Sequence, residues 1–433
     1  QMGLYQDEKM TDYVRKIGNR LVSKLEKNPF EFHFAIADEG VPNAFALPGG
    51  YVYVTRGLLS LITTEDELAC VMGHEIIHVT ERHSIQQMRS SILPRMLELP
   101  GNIVGTVVHE DLGNLLNMPI ATSNALLLTS YSRKHETESD TKGVTLASKA
   151  GYDPGAMKSI LDRLSKAIEV VTDQSEKKSY FSDHPYTPDR IKKIDKTQSK
   201  LSWDEAAKVS ANFPAPLNGM VFGVNPKKGI FNDQVFIHPD LNFTLTFPEG
   251  WHTTNQSTAV SAIHEDHQAG VFVGLEDPGK SPEEYAKIFE EEIEKEHKQK
   301  PTISEPRTVN DHPGYLITME DNSGSKPMYI HILWLKMDEK VFKLIGLAPR
   351  SQEPHLRATA LSLRTLTDEE RNSVKVKVLR VVQAKENESI EALNNRTNNI
   401  LNSNLTAIIN GIDEGEQLKS DQSIKIIVKE KYE

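Results

Sequence analysis

The chain has 433 residues, of which 38% are hydrophobic and 26% charged, and its formal net charge is −11. This length accommodates two or three domains with sizeable cores, and the ordinary composition excludes wholesale disorder. The negative charge argues against a nucleic-acid binder, because no surplus of lysine and arginine is available to displace counterions from phosphate. Cys70 is the single cysteine, which excludes an intrachain disulfide framework.

No uninterrupted apolar run approaches the ~18 residues needed to span a bilayer. The sequence begins with Gln1 and not with Met, which suggests a processed or trimmed start. A signal peptide or lipid anchor upstream of Gln1 would not be visible in this sequence.

The first half of the chain reads as helices around a few strands. Apolar spacing predicts a helix within residues 7–28, strand-like segments at 30–38 and 49–59, and a helix beginning near Thr64, where Thr-Glu-Asp-Glu supplies a cap and an acidic first turn. Residues 85–130 are apolar but interrupted by prolines and glycines, and we interpret them as short helices and loops. Further helices are predicted near 131–150 and 155–170.

The composition changes after NFPAPLNG at residues 212–219. Strand-like segments dominate from about 220 to 350, interrupted by one helix, and the tail from about 374 reads as a strand, two short helices and a closing strand. The predicted fold class is therefore α+β: a mainly helical domain with a small edge sheet, followed by a sheet-rich α+β accessory region.

The motif with the clearest chemistry is GHEIIH at residues 73–78. Residues four apart on a helix differ by about 40° around its axis, so His74 and His78 can direct their imidazoles at one metal ion. Glu75, about 100° from His74, can hold a metal-bound water without being a ligand. His83 lies nine residues from His74, about 180° around the same helix, and is expected to face away. A chance match is the alternative, but the flanking residues are apolar, and buried histidines need partners.

A third ligand is expected from YSRKHETESDTKG at residues 131–143. Glu136 and Asp140 are four apart on one helical face, so one can bind the metal while the other orients a histidine. Glu138 is rotated by roughly 200° from Glu136 and is expected to be solvated, and His135 is a weaker candidate ligand. The alternative is that this acidic patch is an ordinary solvated helix face.

Three segments together carry a family resemblance: GHEIIHVTERHS, YSRKHETESDTKGVTLASKAGYDP and SDHPYTPDRI, preceded by NAFALPGGYVYVTRGLL. In this order they resemble the zinc metallopeptidase family of HtpX-like and CAAX prenyl proteases, in its soluble extracytoplasmic bacterial branch, over about residues 5–200. The resemblance implies a zincin-type domain with one Zn²⁺ per chain.

Carried over residue by residue, the resemblance makes His74, His78 and Glu136 the zinc ligands and Glu75 the catalytic glutamate. It places Asp140 in the family's E-x-x-x-D element, in which Ser139 stands where alanine is usual.

The same resemblance implies that His184 approaches the zinc, as an oxyanion donor or as a fourth ligand in a resting state. A loop histidine that caps a helix is the alternative. Arg190 is expected to orient a site carboxylate or stabilise the oxyanion, and a structural salt bridge is equally compatible with its position.

Asn43, Ala44 and Phe45 open a strand that is expected to bind substrate along an exposed sheet edge. A core hairpin is the alternative. We further interpret residues 85–130 as a lid or plug over the cleft.

The function predicted is that of a zinc metalloendopeptidase, with Glu75 activating the zinc-bound water, that acts on protein substrates in periplasmic or other extracytoplasmic quality control. Two alternatives stay open: a zinc-containing chaperone or assembly factor with little proteolysis, and a structural zinc domain. The predicted domains are 1–215, the metallopeptidase; 220–370, faintly PsbP-like; and 374–433, faintly LysM-like, with a possible peptidoglycan contact.

Overall fold

A computed structural model describes residues 3–86, 131–171, 180–185, 188–203, 213–256, 258–266, 268–321 and 327–433. Its architecture is α+β, as predicted, with a helical N-terminal part and a sheet-rich part after it. The interpretation of residues 85–130 as a lid falls almost wholly outside the described residues. Among the helices of the described ranges, none has the length and apolar character needed to cross a bilayer.

The N-terminal part combines a three-stranded sheet with helices that pack on it. Its elements are α1 (Glu8–Val22), β1 (His33–Ala37), β2 (Ala44–Leu47), β3 (Tyr51–Thr55), α2 (Arg56–Leu61), α3 (Glu65–Thr80), α4 (Arg133–Lys149), α5 (Ala156–Val171), α6 (Tyr180–Asp183) and α7 (Pro188–Gln198). The strand order is β1-β3-β2, with β1 parallel and β2 antiparallel to β3. The strand β2 therefore forms one edge of this sheet.

The accessory region is built on a seven-stranded sheet. Its elements are β4 (Ile230–Asn232), β5 (Val235–His238), β6 (Phe243–Thr246), β7 (His252–Asn255), β8 (Ala259–Ile263), β9 (Gly270–Leu275), α8 (Pro282–His297), β10 (Ile303–Val309), β11 (His312–Asp321), β12 (Met328–Met337), β13 (Lys340–Pro349), α9 (Glu353–Ser362) and α10 (Asp368–Ser373). The order of the large sheet is β10-β11-β12-β13-β9-β8-β7, and β4-β5-β6 form a separate small sheet.

Two cores lie on opposite faces of the large sheet. One is formed with α8, where Phe289 packs near Trp334, and the other with α9 and the small sheet, where Phe243 packs against Phe342. The strand β12 shows why both faces are apolar: Leu333 belongs to one core and Trp334 to the other, since successive side chains of a strand point to opposite faces.

The tail has the predicted order of elements: β14 (Lys375–Gln383), α11 (Ile390–Thr397), α12 (Ser403–Asn410) and β15 (Ser423–Lys431), with β14 and β15 antiparallel. Leu379, Ile409 and Ile427 of this unit belong to the same hydrophobic core as α1 and α3. The side chain of Lys425 is fully buried and donates hydrogen bonds to the carbonyl oxygens of Ser60 (2.7 Å) and Ile62 (2.6 Å) at the end of α2. The tail is thus packed directly onto the N-terminal part.

Candidate metal centre

The helix α3 carries the motif and is buried on nearly all sides. Thr64 caps it, accepting a hydrogen bond from the Glu67 amide, and fourteen of its sixteen residues are buried. His74, Glu75 and His78 are completely inaccessible to solvent. Polar groups held this far inside a protein need polar partners or a metal ion.

Those partners come from α4, which approaches α3 closely at two glycines. A Cβ atom added to Gly73 would lie 2.9 Å from the carbonyl oxygen of Gly143, and one added to Gly143 would lie 2.7 Å from the His74 amide nitrogen. Side chains at these two positions would force the helices apart. The glycine pair therefore lets Glu136 and Asp140 of α4 reach the histidines of α3.

Four side chains bring their ligand atoms within 4.8 Å of one another: His74, His78, Glu136 and His184. His74 Nε2 lies 2.9 Å from His78 Nε2 and 3.6 Å from Glu136 Oε2, and His78 Nε2 lies 3.3 Å from Glu136 Oε1. All four residues are buried. The structure thus brings together the three predicted ligands and adds His184 to them.

The spacing and chemistry of these groups fit a divalent metal ion. Ligand atoms about 2.0–2.1 Å from a tetrahedral ion lie roughly 3.3 Å from one another, and imidazole nitrogen with carboxylate oxygen is a donor set that zinc takes in proteins. The distances of 2.9–3.6 Å found here lie around that value. His74, His78, Glu136 and His184 could therefore hold one such ion.

His184 contacts both the ligand cluster and Glu75. Its Nδ1 lies 3.1 Å from Glu136 Oε1 and 3.3 Å from His74 Nε2, and its Nε2 lies 3.4 Å from Glu75 Oε1. Burial alone would lower the pKa of His184, but the carboxylates of Glu136 and Glu75 outweigh burial and raise the pKa to about 9. This imidazole is therefore placed to bind a metal with one nitrogen and to interact with Glu75 through the other.

Tyr180 supports His184 and was not singled out from the sequence. Its ring stacks on the His184 imidazole with centroids 4.6 Å apart, and its amide donates to the carbonyl oxygen of Pro42, just before β2. The four-residue separation of Tyr180 and His184 on one turn of helix was the available sequence clue. Through these contacts the His184 loop is tied to the edge strand.

Arg190 orients two carboxylates of α4. Its Nε and Nη2 each lie 2.7 Å from an Asp140 carboxylate oxygen, and its Nη1 lies 2.8 Å from Glu136 Oε2. Asp140 Oδ1 in turn lies 2.9 Å from His74 Nδ1. Burial would raise the pKa of Asp140, but its hydrogen bonds with Arg190 and His74 lower it. These contacts fit two of the roles considered for Arg190, orienting site carboxylates and forming a structural salt bridge.

The expectation that His83 faces away from the site is wrong. It assumed that α3 continues to residue 83, whereas α3 ends at Thr80 and Arg82 adopts a positive φ of 57°. The chain therefore turns back, and His83 is buried with its Nδ1 3.2 Å from His78 Nδ1. His83 is nevertheless outside the group of ligand atoms.

His135 and Glu138 also lie beside this histidine. The His135 ring stacks on His83 at 4.3 Å, and Glu138 Oε2 lies 3.6 Å from His83 Nε2. Glu138 is about one-third exposed and pairs with Lys142, so it is less solvated than predicted.

Of the predicted substrate-binding residues, Ala44 and Phe45 open the edge strand β2, and Asn43 directly precedes it. The Thr55 amide donates to the carbonyl oxygen of Asn43, and Phe45 stacks on Tyr53 with centroids 5.0 Å apart. Because hydrogen bonding alternates along an antiparallel pair, the backbone groups of Ala44 and Ala46 point away from β3. Both residues are buried as a whole, with exposed fractions of 0% and 5%.

Two histidines four residues apart on one helix, with a glutamate directly after the first, form the arrangement typical of zinc metallopeptidases. The particular family follows from comparison: residues 8–198 match Peptidase family M48, and this part of the chain is an M48 domain. It is 32% identical over 165 residues to the Beta-barrel assembly-enhancing protease of Escherichia coli (strain K12), covering 37% of this chain and 34% of that protein.

It is also 31% identical over 189 residues to the Mitochondrial metalloendopeptidase OMA1 of Schizosaccharomyces pombe, covering 43% of this chain and 52% of that protein. The chain thus spans about a third to a half of the length of these relatives. The solution structure of cyanobacterial PsbP from Synechocystis sp. PCC 6803 aligns with 29% of this chain and 87% of its own, at 9% identity and a TM-score of 0.25. That similarity carries no argument about the accessory region, and its PsbP-like and LysM-like interpretations stay predictions.

Proposed function

We propose that this protein is a zinc-dependent endopeptidase that hydrolyses peptide bonds of protein substrates. The observation that carries the proposal is the convergence of His74, His78 and Glu136 at buried positions, with Glu75 beside them on α3. When bound there, zinc supplies a Lewis acid that lowers the pKa of water toward ~7 and polarises a carbonyl group.

The protein's own groups then move the protons. The Glu75 carboxylate accepts a proton from the attacking water and later passes it to the leaving amine, so the C–N bond breaks as a C–O bond is made. Arg190 is hydrogen-bonded to Asp140, and these two residues hold Glu136 and His74 in place through the short charged contacts described above. The substrate backbone pairs with the outward-facing groups of Ala44 and Ala46 on β2, while Asn43 and Phe45 keep that strand attached to β3.

His184 occupies the position of a fourth ligand in the arrangement described here. Four protein ligands are typical of closed zinc sites, whereas catalytic sites keep one position open. We therefore propose that this arrangement is a resting state and that His184 withdraws when substrate binds.

The same observation favours a second candidate function, a zinc-containing chaperone or assembly factor with little proteolysis. In that case the four-ligand arrangement would be permanent.

The substrate class and the compartment belong to the same proposal. The E. coli relative is named for enhancing beta-barrel assembly, and the resemblance to the extracytoplasmic bacterial branch points the same way. We therefore place the activity in envelope protein quality control outside the cytoplasm.

One variant tests the activity. Glu75→Gln should retain one zinc per chain but lose about 10²–10⁴-fold in the rate of casein or peptide cleavage, because it removes the proton acceptor and no ligand. Glu26→Gln, on an exposed side chain, is the control and should match the wild type. Equal cleavage by Glu75→Gln and the wild type would refute the proposed role, and zinc binding without any cleavage by the wild type would favour the chaperone.

A further inference from the structure

His83 lies behind one metal ligand, at a point where a ligand needs support. The imidazole of His78 directs Nε2 into the ligand cluster and leaves Nδ1 on its far side. A histidine that binds metal through Nε2 carries its proton on Nδ1, and that N–H group usually donates to an acceptor which fixes the tautomer and the ring orientation. Among the residues that the structure describes, His83 places its Nδ1 3.2 Å from His78 Nδ1.

The tautomer of His83 decides whether this ring can act as the acceptor. His83 is buried, and its ring stacks on His135 with centroids 4.3 Å apart. If His83 Nδ1 accepts from His78, its own proton lies on Nε2, which faces Glu138 Oε2 at 3.6 Å.

Glu138, which faces the other side of the His83 ring, is held by further contacts. Lys142 Nζ lies 2.6 Å from Glu138 Oε1 and 2.7 Å from Glu81 Oε1, so the carboxylate is fixed on α4. Ser139 Oγ lies 3.2 Å from His83 Nδ1 and gives the ring a second contact.

We propose that His83 is a positioning residue that fixes the tautomer and orientation of His78 and so tightens metal binding, with Glu138 completing the support. This inference rests on the proposed zinc site. The two histidine ligands are then supported unequally: His74 by the carboxylate of Asp140 at 2.9 Å, and His78 by a neutral imidazole. A neutral acceptor raises the basicity of the imidazole that donates to it less than a carboxylate does. His78 should therefore be the weaker metal ligand of the two histidines.

Two substitutions in the full-length chain separate the acceptor from the bulk of the ring. His83→Phe keeps a ring that can stack on His135 but has no acceptor, whereas His83→Asn retains an amide oxygen near the position of Nδ1. The readouts are the zinc dissociation constant, from competition with a chromogenic chelator, and the visible absorption spectrum of the Co²⁺-substituted protein. His83→Phe should weaken zinc binding about 10–100-fold and shift the Co²⁺ bands, and His83→Asn should stay within a few-fold of the wild type.

Controls separate this inference from folding and from the proposed function. His135→Phe, which alters the stacking partner but not the contact with His78, should bind zinc as the wild type does. If His83→Phe does not fold by circular dichroism, Glu138→Leu decides, with an expected loss of about threefold in zinc affinity. Unchanged affinity in the folded His83→Phe protein, or equal losses in the Phe and Asn variants, would overturn the role of His83. Failure of the wild type to bind zinc at all would instead overturn the proposed function.

Discussion

Arg190 donates a bidentate pair of hydrogen bonds to Asp140, with Nε–Oδ2 and Nη2–Oδ1 distances of 2.7 Å each. Two parallel bonds of this kind fix direction as well as distance, and a lysine cannot reproduce them. Because the same guanidinium also contacts Glu136, a single residue of α7 sets the position of two carboxylates of α4.

Arg190→Lys should therefore weaken zinc binding by roughly tenfold, since the groups that orient the ligands of a metal site typically contribute 10–100-fold. Chelator competition measures this directly. The control is Arg133→Lys on the exposed start of α4, which should leave the affinity unchanged. Equal affinities in Arg190→Lys and the wild type would show that Glu136 and Asp140 are placed without the guanidinium fork.

His184→Ala distinguishes a fourth ligand from an oxyanion donor. If the imidazole holds the fourth position at rest, its removal should lower zinc affinity and raise the initial rate of peptide cleavage several-fold, because an open position is created. Steady-state rates at saturating zinc provide the measurement. If the rate of peptide cleavage by His184→Ala instead falls tenfold or more at full zinc occupancy, His184 is assigned to oxyanion stabilisation.

The raised pKa of His184 predicts how the chelator-treated protein responds to pH. Its pKa of about 9 lies above the ordinary ~6.5 of an unfolded chain. The stabilisation from the charged ring is thus fully present below about pH 6.5 and is lost as pH rises toward 9. Urea unfolding in EDTA should show stability falling across this range, and His184→Asn should flatten the curve. If stability falls with pH equally in the wild type and in His184→Asn, the prediction is contradicted. His33→Asn, on an exposed strand residue, serves as the control.

Ala46→Pro tests whether the outer edge of β2 binds substrate. Proline removes one N–H group, and at this position that group points away from β3, so the ladder within the sheet is preserved. Loss of one substrate hydrogen bond should raise KM for an extended peptide by about tenfold while kcat and zinc content stay near the wild type. Ala46→Gly, which keeps the N–H group, is the matched control. An unchanged KM in the proline variant would place the substrate elsewhere.

Lys425→Met tests the attachment of the tail. The substitution leaves the carbonyl oxygens of Ser60 and Ile62 without their buried donor, which should cost about 2–4 kcal/mol of unfolding free energy. Urea denaturation of the full chain is the measurement. Lys429→Met, on an exposed residue of the same strand, should cost under about 0.5 kcal/mol. A similar loss of unfolding free energy in both variants would mean that the buried amino group of Lys425 contributes nothing specific.

Local patterns in the sequence were enough to predict one side of the site. The cap at Thr64, the apolar flanks and the four-residue spacing predicted a buried helix with His74 and His78 on one face, and the same spacing paired Glu136 with Asp140. These inferences succeed because each depends on the period of a single helix.

Features that depend on chain reversals or distant contacts could not be predicted in this way. The end of α3 has no glycine or proline, and Arg82 takes the left-handed conformation there instead. Because the sequence carries no signal for this chain reversal, it did not predict the contact of His83 with His78. Lys425 reads as one polar residue in an apolar strand, and its partners lie more than 360 positions earlier in the chain.

The burial of Lys425 against α2 has a consequence for the order of events during synthesis. The N-terminal part contains every residue of the metal cluster, yet part of its core is supplied by Leu379, Ile409 and Ile427. A ribosome that has released only the first half of the chain has therefore made all the ligands but not the packing that supports them. The metal cluster should therefore gain its full structural support only after residues 375–431 have been synthesised, so a nascent chain that ends before them holds the ligands without the packing around them.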